Sequence, residues 1–210
     1  MTSFLTILPL AIVMVAGPQI ISAFLLATSE RARRNSVAYV AGAALASAVS
    51  VTLFFLIANI FNLSRGDQKD SGAGVVDYLL IALLLILMVR VFLKRHETEP
   101  PKWMGRLGTA SPGFSFRLGF LLFLLMPTDI ITSATVGTFL AGSGAPLWHA
   151  LPFLLLTTLL VAIPLLILLL MGRRANTILP KAREWMSANS WVVSEIVLVF
   201  FLVITLAGLG

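Results

Sequence analysis

Cysteine is absent from this 210-residue chain, so it can form no disulfide, hold no metal through thiolate and run no dithiol relay. Histidine occurs only at 96 and 149, which leaves little from which to assemble a zinc site, and no metal or cofactor site is expected. Charge is scarce as well: Asp, Glu, Lys and Arg make up 11% of the chain, against about 25% in soluble domains. No glycine-rich phosphate loop followed by Lys and Ser or Thr occurs, which argues against direct ATP drive. Low-complexity tracts and interdomain linkers are missing too. What is present is apolar: 59% hydrophobic residues and a mean hydropathy of +1.00. The composition is that of an integral membrane protein. A net charge of +6 would suggest nucleic acid in a soluble protein; here it has first to be read loop by loop.

A bilayer core of about 30 Å takes roughly 20 apolar residues of helix. Six stretches qualify: Phe4 to Ala27, Val37 to Phe61, Val75 to Leu93, Leu118 to Leu140, Ala150 to Met171 and Trp191 to Leu209. The first is kept as a span and not a signal peptide, because Met1 to Thr6 has no basic residue and the apolar run continues past Gly17-Pro18. Basic residues gather in three loops. Arg31, Arg33 and Arg34 follow the first span; Lys94, Arg95, Lys102, Arg106 and Arg117 follow the third; Arg173, Arg174, Lys181 and Arg183 follow the fifth. The intervening loops carry only Arg65 and Lys69. By the positive-inside rule the basic loops are cytoplasmic and both termini lie outside a cell membrane crossed six times. The charge is then a topology signal, and no nucleic-acid partner is expected. Trp103-Met104 and Trp185-Met186 suit segments lying at the headgroup level.

The chain also repeats itself. Pro18 and Pro127 lie 109 residues apart, and the text after them is alike, Pro18-Gln19-Ile20-Ile21-Ser22 against Pro127-Thr128-Asp129-Ile130-Ile131-Thr132. Residues 1–93 form a first three-helix repeat, 94–117 a cytoplasmic loop and 118–210 a second repeat. Since three spans are an odd number, the second repeat enters the membrane in the opposite sense, which predicts an all-α fold with a 3+3 inverted repeat. A proline inside a span removes one amide donor and blocks the carbonyl four residues back, so spans one and four should be kinked or broken. Both breaks fall near mid-membrane. Either they only help six helices pack, or Gly17, Pro18, Gln19, Ser22, Pro127, Thr128, Asp129, Thr132 and Ser133 line a shared substrate or ion site.

Asp129 is the most informative of these. It lies about 16 Å into its span by helix rise, with no Lys or Arg at comparable depth, and intramembrane carboxylates are costly and usually functional. It must be protonated, face water, or bind a cation or amine. A structural role is the competing account, since an acid just after proline can cap the restarted helix. Arg90 and Glu195 sit at similar depth near the cytoplasmic ends of spans three and six, as an ion pair, as separate snorkelling side chains, or as a gate. Gly42, Ala46 and Ser50, with Ala43 and Ser47, form a small-residue stripe on which another helix can pack closely. Pro164 offers another kink in span five. Asp77 lies near the outer surface, and neither histidine is given a role.

With these residues in view the chain resembles the LysE superfamily of six-span exporters, and within it the GAP (glycopeptidolipid and sulfolipid addressing) family. The residues that carry the likeness are Pro18 to Ser22; Pro100-Pro101-Lys102-Trp103-Met104; Ser111-Pro112; Leu118-Gly119-Phe120; the Pro127 motif; and Arg183-Glu184-Trp185-Met186 with Asn189. The resemblance covers almost the whole chain and implies outward movement of small solutes or lipid-like molecules. Where such families have an Asn-Pro-Lys type motif in span four, this chain reads Met126-Pro127-Thr128-Asp129, with Thr in place of the basic residue and an added acid. The thiol-disulfide branch of the superfamily is excluded by the absence of cysteine.

The expectation is therefore a secondary transporter exporting a small solute or lipid-like amphiphile, coupled to a proton or cation through Asp129. The alternative is a membrane accessory of glycolipid export that acts within a larger complex. Its partners would be membrane lipids, the substrate, a proton or cation, and further copies of the chain in a homo-oligomer. One buried acid without a second carboxylate, a nucleophile with its base, or a metal cluster makes a thin active site, so enzyme activity is not expected.

Overall fold

A computed structural model describes residues 7–61, 89, 107–189, 192 and 199. The chain divides into two compact units, Met1–Gly66 with Pro101–Glu184, and Asp67–Pro100 with Trp185–Gly210. The described residues fall almost wholly in the first. In chain order their helices are α1 (Leu10–Val15), α2 (Pro18–Ala27), α3 (Ala32–Ile60), α4 (Pro112–Leu125), α5 (Pro127–Gly142), α6 (Leu151–Val161, after a 3-10 turn at Leu147–Ala150), α7 (Ile163–Met171) and α8 (Ala175–Ala188). There is no strand among the described residues. The expected spans Val75 to Leu93 and Trp191 to Leu209 lie outside them, as do Arg90, Glu195, Asp77 and His96.

Of these helices only α3 is long and apolar enough to cross a membrane unbroken; α4 with α5, and Leu147–Val161 with α7, reach that length as bent pairs. The breaks follow from proline. The Pro127 ring keeps Met126 out of the helical region, at ψ 130°, and α5 restarts with proline as its first residue, bent by 65° from α4. Before Pro18, Ala16 is extended at ψ 143°, and Gly17 takes φ 99°, a conformation suited to glycine alone. The third bend, 57°, falls at Ala162, two residues before Pro164. α3, which the 109-residue offset sets against it, carries no proline and runs unbroken for 29 residues, so these two expected spans differ in shape.

Helix ends also differ from the apolar stretches. α4 begins at Pro112, not Leu118, because Ser111 accepts a hydrogen bond from the Phe114 amide at 3.3 Å and Pro112 suits the first helical position. α3 begins at Ala32, not Val37, since a helix does not stop where the apolar core stops.

The packing is that of a protein meant for lipid. α3 exposes Leu45, Val49, Leu53, Leu56 and Ile60 on one face, while Tyr39, Gly42, Ala43, Ala46, Ser47 and Ser50 are buried on the other. α6 likewise exposes Leu151, Leu155 and Leu159 and buries Thr157. Large apolar side chains outside and small or polar ones inside let backbones approach closely. A methyl on Gly42 would strike the Phe116 carbonyl, and one on Gly119 the Tyr39 carbonyl, so α3 and α4 touch backbone to backbone. Further along, a Cβ on Gly137 would lie 2.7 Å from the Phe55 amide nitrogen. Those contacts, at Tyr39–Ala43 against α4 and at Phe54–Phe55 against α5, set α3 running in the same direction as the bent pair. The start of α3 is tied to the start of α4 by Asn35, whose amide donates to the Ala110 carbonyl at 2.9 Å, and by the Glu30 amide, which donates to the Gly108 carbonyl at 3.1 Å. The last residue of α2 is therefore only a short turn from the end at which α4 begins.

Candidate functional site

The two proline breaks meet through their side chains. Gln19 is the second residue of α2 and Asp129 the third of α5. Gln19 Nε2 donates to Asp129 Oδ2 at 2.8 Å, joining residues 110 apart in the sequence, and both side chains have no solvent exposure. The other carboxylate oxygen, Oδ1, accepts from the Thr128 hydroxyl at 3.3 Å. Asp129 does not cap its own helix: α5 has no side-chain cap, and the acid instead lies in the first turn, where the amide dipoles favour negative charge. The capping account is thereby replaced by a long-range one. A 2.8 Å bond has the length of a charge-assisted amide–carboxylate pair.

A third element completes the centre. The Tyr39 hydroxyl of α3 donates to the Gln19 backbone carbonyl at 2.8 Å and is itself fully buried. Tyr39 was not among the residues singled out from the sequence, although it lies on the same small-residue stripe, three positions before Gly42. The remaining candidates divide. Ser22, one turn after Gln19, and Ser133, one turn after Asp129, are buried, and the Ser133 hydroxyl has no hydrogen-bond partner. Thr132 is buried but donates to the Thr128 carbonyl within its own helix at 2.8 Å. Pro127 and Thr128 are exposed at the break, and Gly17 and Pro18 are half-buried. Gly17 does more than turn the chain: a Cβ there would lie 3.4 Å from Gln19 Oε1. Thr157 of α6 adds another buried hydroxyl without a partner.

Among the described residues Asp129 has no ion-pair partner, and no group of three His, Asp or Glu could hold a metal ion. Gln19 Oε1 and the hydroxyls of Ser22 and Ser133 stand without hydrogen-bond partners, so the centre holds a free carbonyl acceptor together with hydroxyls that can donate or accept.

Apolar helices that carry their polarity inward, with two proline breaks bridged by a buried amide–carboxylate bond, define a helical protein of the membrane. The chain belongs to the SfLAP family, described as Sap, sulfolipid-1-addressing protein, whose model matches residues 7–210. No curated protein and no solved structure matches the chain. Membership gives the protein a lipid-related role and association with lipid.

Proposed function

We propose that this protein is a six-span exporter of a lipid-like amphiphile or small solute, with Asp129 as the group that takes up a coupling proton or cation. The observation that carries the reading is the Gln19–Asp129 hydrogen bond, which ties equivalent breaks of the two halves at one buried point. In an inverted repeat, alternating access is rocking of one half against the other around such a point. The direction of the helices supports it: α2 finishes next to the end at which α4 starts, as antiparallel equivalents should. The gathering of basic segments supports the orientation with cytoplasmic basic loops and outside termini, since Glu30–Arg34 and Leu168–Leu169, just before Arg173 and Arg174, border one cleft. The likeness to the LysE superfamily belongs to this proposal and rests on the proline motifs. No covalent chemistry is assigned to the centre, and its remaining candidates, Ser22, Thr132 and Ser133, would contact the passing head group.

The test is translocation of a fluorescent anionic phospholipid analogue across proteoliposomes under an imposed pH gradient. Wild-type protein should translocate it faster than empty vesicles and respond to the gradient; Asp129→Asn should abolish the response while the protein still elutes as folded. An unchanged gradient response in Asp129→Asn removes Asp129 from coupling. The second reading, an accessory within a larger lipid-export machine, is favoured by the family description, which speaks of addressing. A stable co-purifying partner with no translocation by the isolated chain would select it.

A further inference from the structure

Between Gln19 and Tyr39 in sequence, the turn from α2 to α3 builds a second polar feature. Its backbone is pinned from inside. The Ser29 hydroxyl donates to the Leu26 carbonyl at 2.6 Å, and Asn35, with no exposure, donates to Ser29 Oγ at 2.8 Å and to the Ala110 carbonyl at 2.9 Å. The Glu30 amide is held by the Gly108 carbonyl, and the Ala32 amide by the Ser29 carbonyl at 3.0 Å. Arg31, Arg33 and Arg34 therefore project from a fixed frame, not a loose loop. Together with Glu30 and Ala32 they line one side of an open cleft of about 590 Å³, whose other side is Leu168 and Leu169 of α7.

The lining carries three guanidinium groups against one carboxylate, and none of the four forms an ion pair among the described residues. Three neighbouring like charges repel, and topology alone needs them only near the surface, not around a shared cavity. Guanidinium groups bind phosphate and sulfate oxygens through paired N–H donors, which a water shell matches poorly. The opposite wall is of different chemistry: beside Leu168 and Leu169 the chain presents Leu170, 82% exposed, and Met171 at the end of α7. A ligand matching both walls has an oxyanion at one end and hydrocarbon at the other.

We propose that this cleft is a binding site for the oxyanion head group of a membrane lipid, held by Arg31, Arg33 and Arg34 with an acyl chain along Leu169, Leu170 and Met171. It requires only that the chain sit in a membrane and does not depend on the exporter reading. Basic residues near a bilayer surface each add roughly fivefold to affinity for anionic lipid, so three together should give about a hundredfold.

The experiment is lipid retention by the purified full chain, measured by native mass spectrometry after exchange into detergent with phosphatidylglycerol or phosphatidylcholine. The wild type should retain phosphatidylglycerol over phosphatidylcholine. Arg33→Gln should lower that retention roughly fivefold, and the triple change of Arg31, Arg33 and Arg34 to Gln about a hundredfold. Lys181→Gln, exposed and outside the cleft lining, should retain it as the wild type does. Leu169→Asn tests the apolar wall and should weaken retention with all three arginines intact. Equal retention of the two lipids, or full retention by the triple variant with an unchanged elution profile, overturns the proposal. Inorganic phosphate and sulfate separate the two sources of the anion. Displacement of phosphatidylglycerol by either at equal concentration shows a site for the free ion and also overturns it, whereas failure to displace supports it.

Discussion

Breaking the Gln19–Asp129 bond should be asymmetric, and the asymmetry can be sized from the structure. Both side chains are fully buried and 2.8 Å apart at the bond. In Gln19→Met the carboxylate keeps only the 3.3 Å contact from Thr128, so it is left short of donors in a low-dielectric interior. Leaving a buried charged group without its hydrogen-bond donor costs upwards of about 3 kcal/mol. In Asp129→Ala the partner left behind is a neutral amide, which costs about 1 to 3 kcal/mol. The double variant strands neither group. Its loss should therefore fall short of the sum of the two single losses by about 1.5 to 3 kcal/mol, the contribution of a hydrogen bond to a charged group. Neutral polar pairs between membrane helices average only about 0.6 kcal/mol, so the size of the coupling distinguishes a carboxylate from its protonated form. The assay is reversible unfolding in mixed lipid–detergent micelles by added dodecyl sulfate, followed by tryptophan fluorescence. Losses that add within about 0.5 kcal/mol would refute the bond as a joint between the two breaks.

Other expectations concern the frame around that joint. Gly119→Ala places a methyl against the Tyr39 carbonyl, where backbone and not a flexible side chain must yield, and should destabilise by about 1 to 3 kcal/mol in the same unfolding assay; a neutral result would mean that α3 and α4 are further apart. Gly17→Ala imposes φ 99° on a residue with a Cβ and should cost about 1 to 3 kcal/mol, whereas Gly113→Ala, with open space around its Cβ, should cost less than about 0.5 kcal/mol. Asn35→Ala deletes the bonds to Ser29 and Ala110 and should cost about 1 to 3 kcal/mol, with faster proteolysis at the α2–α3 turn as a second readout. Tyr39→Phe removes the donor to the Gln19 carbonyl and should cost about 0.5 to 1.5 kcal/mol, without altering the packing of the ring.

How far the sequence could be read depended on the range of the interaction that decides each feature. Proline acts on its immediate neighbours, so the breaks at Pro18 and Pro127 and the bend near Pro164 could be placed without a structure. The small-residue stripe on α3 is likewise local in pattern, and Gly42, Ala46 and Ser50 are buried as a packing face should be. Its partner was not legible. That Gly119 of α4 and Gly137 of α5 meet α3 is decided by helices more than 70 residues away in sequence, and apolar text carries no mark of pairing. Tyr39 was missed for the same reason: its hydroxyl is explained only by the Gln19 carbonyl 20 residues earlier. Asp129 shows the converse. Its rarity flagged it, while a local rule, the acid after proline, offered a capping role that the long-range amide of Gln19 displaces.

The shape difference between α3 and the bent α6–α7 pair follows from the same reasoning and bears on how such a joint could move. α3 is a continuous 29-residue helix fixed by glycine contacts to both α4 and α5. Its counterpart by sequence offset is bent by 57° at Ala162. Tyr39, Gly42 and the Phe54–Phe55 segment hold the second-half break from its two sides, so α4 and α5 cannot straighten without sliding along α3. The α6–α7 pair has a bend of its own, and α7 forms the wall of the cleft that faces Arg31, Arg33 and Arg34. A change in the bend at Ala162 would therefore widen or narrow that cleft while the α3–α4–α5 contacts stay in register. Replacing Pro164 by Ala supplies the amide donor that proline lacks and removes the ring that crowds the preceding turn, and should favour a straighter α6–α7 pair. Spin labels at Leu155 and Leu170, both exposed, should then move apart. An unchanged separation would place the bend in the packing around Ala162 and not in the proline.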